Sequence, residues 1–230
     1  MKKLLSISVL ILLALNSFAQ KSAVLSAFEK HGIDKSILEA KTIEKVDNYA
    51  FDFKYTSIAG DKETVTLAKY DPTKPMEERW TVISVKGKAP SKSQVNTFIK
   101  NHNVPKTAPA LPDESTYKIE KETADILVIS YKQDPNTLAA EAAFMKDCRL
   151  YMTVNLKTKR LESIQSLNEK PLKIKIFNAE KLDLMVKFTF DEAANRYFTA
   201  SEDLNMIIKL LGQLAPMETI SEYSNYKKVL

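Results

Sequence analysis

Apolar and polar side chains alternate with a period of two along most of this chain. In YAFDFKYT, Tyr49, Phe51, Phe53 and Tyr55 alternate with Ala50, Asp52, Lys54 and Thr56, which predicts a half-buried strand with an aromatic face. Ser57 to Asp61, with Gly60, predicts a hairpin turn into KETVTLAKY, and the strand WTVISV at 80–85 follows a Pro-containing loop, YDPTKP. Further strands are expected at Tyr117–Glu122, Asp125–Gln133, Phe144–Leu156, Arg160–Asn168, Leu172–Ala179, Lys181–Phe190, Arg196–Ser201, Leu204–Leu211 and Thr219–Val229. In LDLMVKFTF, Leu182, Leu184, Val186, Phe188 and Phe190 share one face. Such alternation with short connections implies an antiparallel sheet covered on one face and wet on the other. Boundaries read this way are good to a few residues, so neighbouring segments can merge.

Two stretches break the period. Over 22–31, Val24, Ala27, Phe28 and His31 fall on one helical face and Gly32 supplies a stop. A second short turn is expected at Ser36–Ala40. The other stretch, KGKAPSKSQ at 86–94, is basic and holds one of four glycines. A phosphate-binding loop needs GxxxxGK followed by Ser or Thr, whereas Gly87-Lys88 is followed by Ala89 and Pro90, and Pro90 removes a donor. Gly87 permits positive φ. Ser91 with Gln94 forms a capping box, and Val95, Phe98 and Ile99 give the helix that follows an apolar stripe. The stretch is therefore strand, turn, cap and helix. Pro105, Pro109 and Pro112 mark an irregular crossover within one domain, because the strands before it are too few to close a core.

The first residues, MKKLLSISVLILLALNSFAQ, add a location. Lys2 and Lys3, the apolar run Leu4 to Leu15 and Ser17-Phe18-Ala19 form a secretory signal peptide over residues 1–19. The run is short for a membrane span, and nothing else approaches the about 18 apolar residues that one needs. Residues 20–230 are expected to form a single exported, periplasmic or secreted domain, a soluble monomer. Removing Lys2 and Lys3 from 34 basic residues leaves 32 against 29 acids, and the formal charge falls from +5 to +3. Lys and Glu are interspersed, which reads as a solvated surface and argues against nucleic acid as a partner.

The residues do not assemble a recognisable catalytic motif. His31 and His102 cannot make a zinc site, and one cysteine cannot make a thiolate cluster. G-x-S-x-G and the acid ladder of a calcium loop are both missing from the sequence. Cys148 alternates with Phe144, Leu150 and Met152 and reads as a buried core thiol. No metal, no cofactor and no catalytic residue is expected.

Two resemblances carry the reading further. KYDPTKPMEERWTVISVKGKAPSKSQVNTFIKNH, residues 69–102, is similar to a segment of uncharacterised exported bacterial proteins: a Tyr-Asp-Pro loop, an Arg-Trp pair, a strand, a Val-x-Gly-x-x-Pro turn and a helix. The order of elements as a whole resembles the periplasmic lipoprotein-carrier superfamily, the group of the outer-membrane lipoprotein carrier. That resemblance implies a mainly β (α+β) fold: a curved antiparallel half-barrel of about 9–11 strands, with the N-terminal and mid-chain helices on its concave side. It also implies a non-catalytic protein that binds or carries an acyl chain, a lipid or a lipidated protein in a concave cavity. Tyr49, Phe51, Phe53, Tyr55, Trp80 and Phe188 are the cavity candidates. The other reading is a regulatory or structural interaction module of the envelope without a lipid ligand.

Cleavage after Ala19 is expected in the native host. The intact mass of the exported protein should start at Gln20, cyclised or not, and retention of Met1–Ala19 would refute the signal reading.

Overall fold

The computed structural model describes residues 20–39, 48–103, 108–174, 177–210 and 212–229. The signal segment 1–19, Ala40, Pro105 and Leu211 lie outside the described residues. Residues 20–31 form α1, and a 3-10 turn, Lys35–Leu38, follows. Then come β1 (Tyr49–Ala59), β2 (Lys62–Tyr70), β3 (Trp80–Val85) and α2 (Lys92–His102). The second half holds β4 (Pro112–Glu122), β5 (Ile126–Gln133), β6 (Cys148–Asn155), β7 (Arg160–Asn168), β8 (Leu172–Ile174), β9 (Phe177–Asp191), β10 (Arg196–Leu210) and β11 (Gln213–Lys228).

These eleven strands make one open antiparallel sheet, a curved half-barrel in the order β3-β2-β1-β11-β10-β9-β7-β6-β5-β4, with β8 paired to β9 alone. The chain builds outward from β1 to the β3 edge and crosses to the opposite edge at β4. It then returns strand by strand until β11 pairs with β1. One cross-strand row runs the full width: Val85, Thr66, Tyr55, Ser221, Glu202, Val186, Ile164, Met152, Ile129 and Ile119. Register shifts interrupt five of the pairings, for instance beside Ala200 between β9 and β10. Each shift bends its strand and adds twist, which supplies the curvature.

Each end of the concave face carries its own lid. Val24, Ala27 and Phe28 of α1 and Ile37 of the 3-10 turn pack on Tyr117, Leu127, Ile129, Met152, Val154 and Leu161. Phe98 of α2 packs on Phe53, Ala68 and Val82. A third cluster joins Cys148 to Leu172, Ala179 and Leu182. Cys148 is fully buried, and burial, with Asp147 and Glu169 nearby, pushes its thiol up to about 11.

Four expectations need adjusting. Leu172–Ala179 is not one strand, since β8 pairs antiparallel with the start of β9 at Leu172↔Ala179 and Lys173↔Asn178. Phe144 and Lys146 are not in a strand, since Ala140–Asp147 is a 3-10 segment and β6 begins at Cys148. Phe144 still packs on the Cys148 cluster, so its apolar character is used without the strand period. The segments at 196–201 and 204–211 are one strand, β10, bent at a bulge. β11 begins earlier than its alternation suggested and includes Pro216. Pro216 lies beyond Ala59↔Met217, the last β1 pairing, so the strand has a neighbour on one side there and tolerates a missing donor.

KGKAPSKSQ is a turn and a cap. Lys86 and Gly87 have φ of +52° and +73°. Val85 and Lys88 exchange both backbone hydrogen bonds, at 2.9 and 3.1 Å. Two consecutive positive-φ residues make this a two-residue type I′ hairpin turn. Ser91 Oγ accepts from Gln94 N at 3.3 Å, and Ser91 N donates to Gln94 Oε1 at 2.8 Å. Denaturant melts should rank three variants accordingly. Gly87→Val should cost about 1–2 kcal/mol through strain at positive φ, and Ser91→Ala about 1 kcal/mol through the lost cap. Lys86→Asn should stabilise by about 0.5–1 kcal/mol, because asparagine tolerates the left-handed region that lysine resists. A destabilised Lys86→Asn would contradict the turn assignment.

Candidate functional site

Beside α1 and its 3-10 turn, part of the concave face stays uncovered. A cavity of about 330 Å³ opens there, within the about 300–1,000 Å³ usual for small-molecule sites. Its floor is the inward register of five strands: Tyr131 and Gln133 of β5, Leu150 and Met152 of β6, Ile164 and Ser166 of β7, Val186 and Phe188 of β9, Thr199 and Glu202 of β10. Ile37, Leu38 and Glu39 form one wall, Pro109, Ala110 and Pro112 another, and Met145 closes the side. Alternation places these side chains together. Every second residue of each strand points inward, and the pairings Ile164↔Val186, Met152↔Ile164 and Leu150↔Ser166 align them across strands.

The lining is largely apolar. Among the described residues it holds no histidine, cysteine, lysine or arginine. Glu39 and Glu202 are its ionisable acids, and each has a partner of its own. Tyr131 packs on Tyr117 with ring centroids 5.2 Å apart, and burial pushes its hydroxyl up to about 12. Gln133 Oε1 is buried with no hydrogen-bond partner among the described residues. No cluster of three or more His, Cys, Asp or Glu is placed to hold a metal among the described residues.

The six aromatic candidates separate into three places. Phe51, Phe53, Tyr55 and Trp80 come together under α2, with Trp80 5.2 Å from Phe53 and 5.8 Å from Phe51. His102 stacks on Phe98 at 3.9 Å, and its Nδ1 donates to the Phe98 carbonyl at 2.8 Å. This is a filled aromatic core, and none of the four lines the cavity. Tyr49 meets Phe198 edge-on at 4.8 Å near the end of the sheet. Phe188 lines the cavity. The side chains that join it there, such as Val186, Ile164 and Met152, share its face by alternation. That signal was legible in sequence, but which strands lay side by side was not.

No protein-family model and no curated protein sequence matches the chain. Among solved structures, it is similar to the crystal structure of the LolA superfamily protein NE2245 from Nitrosomonas europaea. The two are 12% identical, the match covers 84% of this chain and 92% of that one, and the TM-score is 0.38.

An unpaired buried acceptor is a cost to folding. Replacing Gln133 by Met keeps the volume and removes the polar atom, so stability should hold or rise by about 1 kcal/mol. A loss of more than that in a denaturant melt would mean that Gln133 has a structural partner.

Proposed function

We propose that the protein is exported and works without catalysis, as a monomeric holder or carrier of an acyl chain, a lipid or a lipidated protein. The observation that carries this reading is the open, largely apolar cavity on the concave face, beside the core that α1 covers. The cavity lies beside the core under α1 and apart from the aromatic cluster under α2, so a ligand fits there without displacing either. Affinity there is non-directional: each methylene buried contributes about 0.8 kcal/mol, or about fourfold in affinity. No helix among the described residues is long and apolar enough to cross a membrane, and a carrier between membranes needs none.

A series of linear alcohols displacing a neutral environment-sensitive dye tests the reading. Affinity should rise about fourfold per carbon until the cavity is filled, then level off. Val186→Trp places a large ring on the cavity floor and should abolish dye binding with little change in melting. Dye binding that survives Val186→Trp, or shows no chain-length dependence, would refute the cavity as the ligand site. Organic extraction and mass spectrometry of protein purified from its host should recover a bound lipid.

A further inference from the structure

We propose that the apolar cavity continues into a second, arginine-bearing one, and that together they hold a single-chain amphiphile with an anionic head, a carboxylate or a phosphate. This rests on the apolar-ligand reading above and names the class of ligand. The second cavity has a volume of about 290 Å³. Ile37 lines both cavities. The β9–β10 pair links them as well. Phe188↔Thr199 lies in the first cavity and Phe190↔Tyr197, two residues along, lies in the second. Two residues of strand span about 7 Å, a distance that a few carbons of an acyl chain cover.

Arg160, at the start of β7, and Arg196, at the start of β10, both line the second cavity, with Ser36 and Asn195 as further polar groups. Asp34 is the acid of that lining and is engaged by the Ser36 backbone N–H at 2.9 Å. Glu192 is bound to Arg160 and Arg196 has a partner of its own, so an anion binds by displacing Glu192. The geometry of carboxylate capture is already present: Arg160 Nη2 donates to both oxygens of Glu192, at 2.9 and 3.1 Å, while its guanidinium lies 3.5 Å over the Phe190 ring. Glu192 sits in the β9–β10 turn with its side chain 79% exposed. An ion pair that exposed contributes little, so a ligand carboxylate or phosphate can take the place of Glu192 on Arg160. The planar fork of arginine suits either head.

The experiment uses the mature protein with a bound neutral dye, displaced by decanol, decanoate or decyl phosphate below their aggregation concentrations. Decanoate and decyl phosphate should displace the dye at about tenfold lower concentration than decanol, the size expected of one charge-assisted contact. Whichever anion is stronger identifies the head as carboxylate or phosphate. Arg160→Gln and Arg196→Gln should bring the anions to the level of decanol and leave decanol unchanged. Glu192→Gln should widen the preference for anions, which keeps the inference readable where an arginine variant fails to fold. Equal displacement by all three compounds, or a preference that survives both arginine variants, overturns the anionic head and leaves the apolar cavity standing. Failure of the dye and of decanol to bind at all overturns the apolar-ligand reading, and this inference with it.

Discussion

The pairing of β1 with β11 holds the two halves of the sheet together. β1, β2 and β3 form a small meander with a filled aromatic face under α2. β4 to β11 form a longer one under α1 and its 3-10 turn. The seam between them is a register of paired residues running from Tyr49↔Lys228 to Ala59↔Met217. It joins parts of the chain that are far apart in sequence, so its closure entropy is met only when the intervening elements are in place. A bulge in β11, with Asn225 at φ +56°, bends the seam where Phe51 meets Tyr223 and Tyr226.

The cavity lies to one side of that seam, on β5, β6, β7, β9 and β10. α1 packs on β5, β6 and β7 at Leu127, Ile129, Val154 and Leu161, and the cavity lies farther along the same strands and across β9 and β10. There the long row across the sheet passes through Ser221 and Glu202, small or polar, before it regains Val186, Ile164 and Met152. A core would place large apolar groups at every one of these positions. The lining instead mixes apolar walls with a few polar groups, which is the composition of a ligand site.

Polar chemistry is placed at the margins. Arg149 donates to Glu169, Ser130 and the Thr116 carbonyl, and so ties β4, β5 and β6 together away from the cavity. Lys30 and His31, at the end of α1, both reach Glu122 of the edge strand β4 at 2.7 Å, and these contacts hold its carboxyl below the usual range. The pairs between α1 and β4 fix the register of the lid on the sheet edge. Exposed pairs of this kind add little stability, so the orientation of α1 depends chiefly on Val24 and Phe28, both fully buried.

Much of this was legible in the residues themselves. Period-two alternation marks the strands from Tyr49 to Lys228, Gly87 and Ser91 mark the hairpin and the cap, and Val24, Ala27 and Phe28 mark the lid face. These are local signals, set by backbone geometry and by neighbours a few positions away. Local signals failed where tertiary contacts overrode them. Phe144 packs from a 3-10 segment, and Pro216 sits in a strand because β1 ends beside it. For the aromatic run from Phe51 to Tyr55, an inward face suited core and cavity alike, because alternation tells inward from outward and says nothing about what lies opposite. Only the folded sheet decided that Phe98 of α2 packs on that face while Tyr131, Leu150, Ile164, Val186 and Thr199 line a cavity, because strand order depends on pairings distant in sequence. The same is true of Arg160 and Arg196, whose shared cavity exists only once β7 and β10 are brought to one end of the sheet.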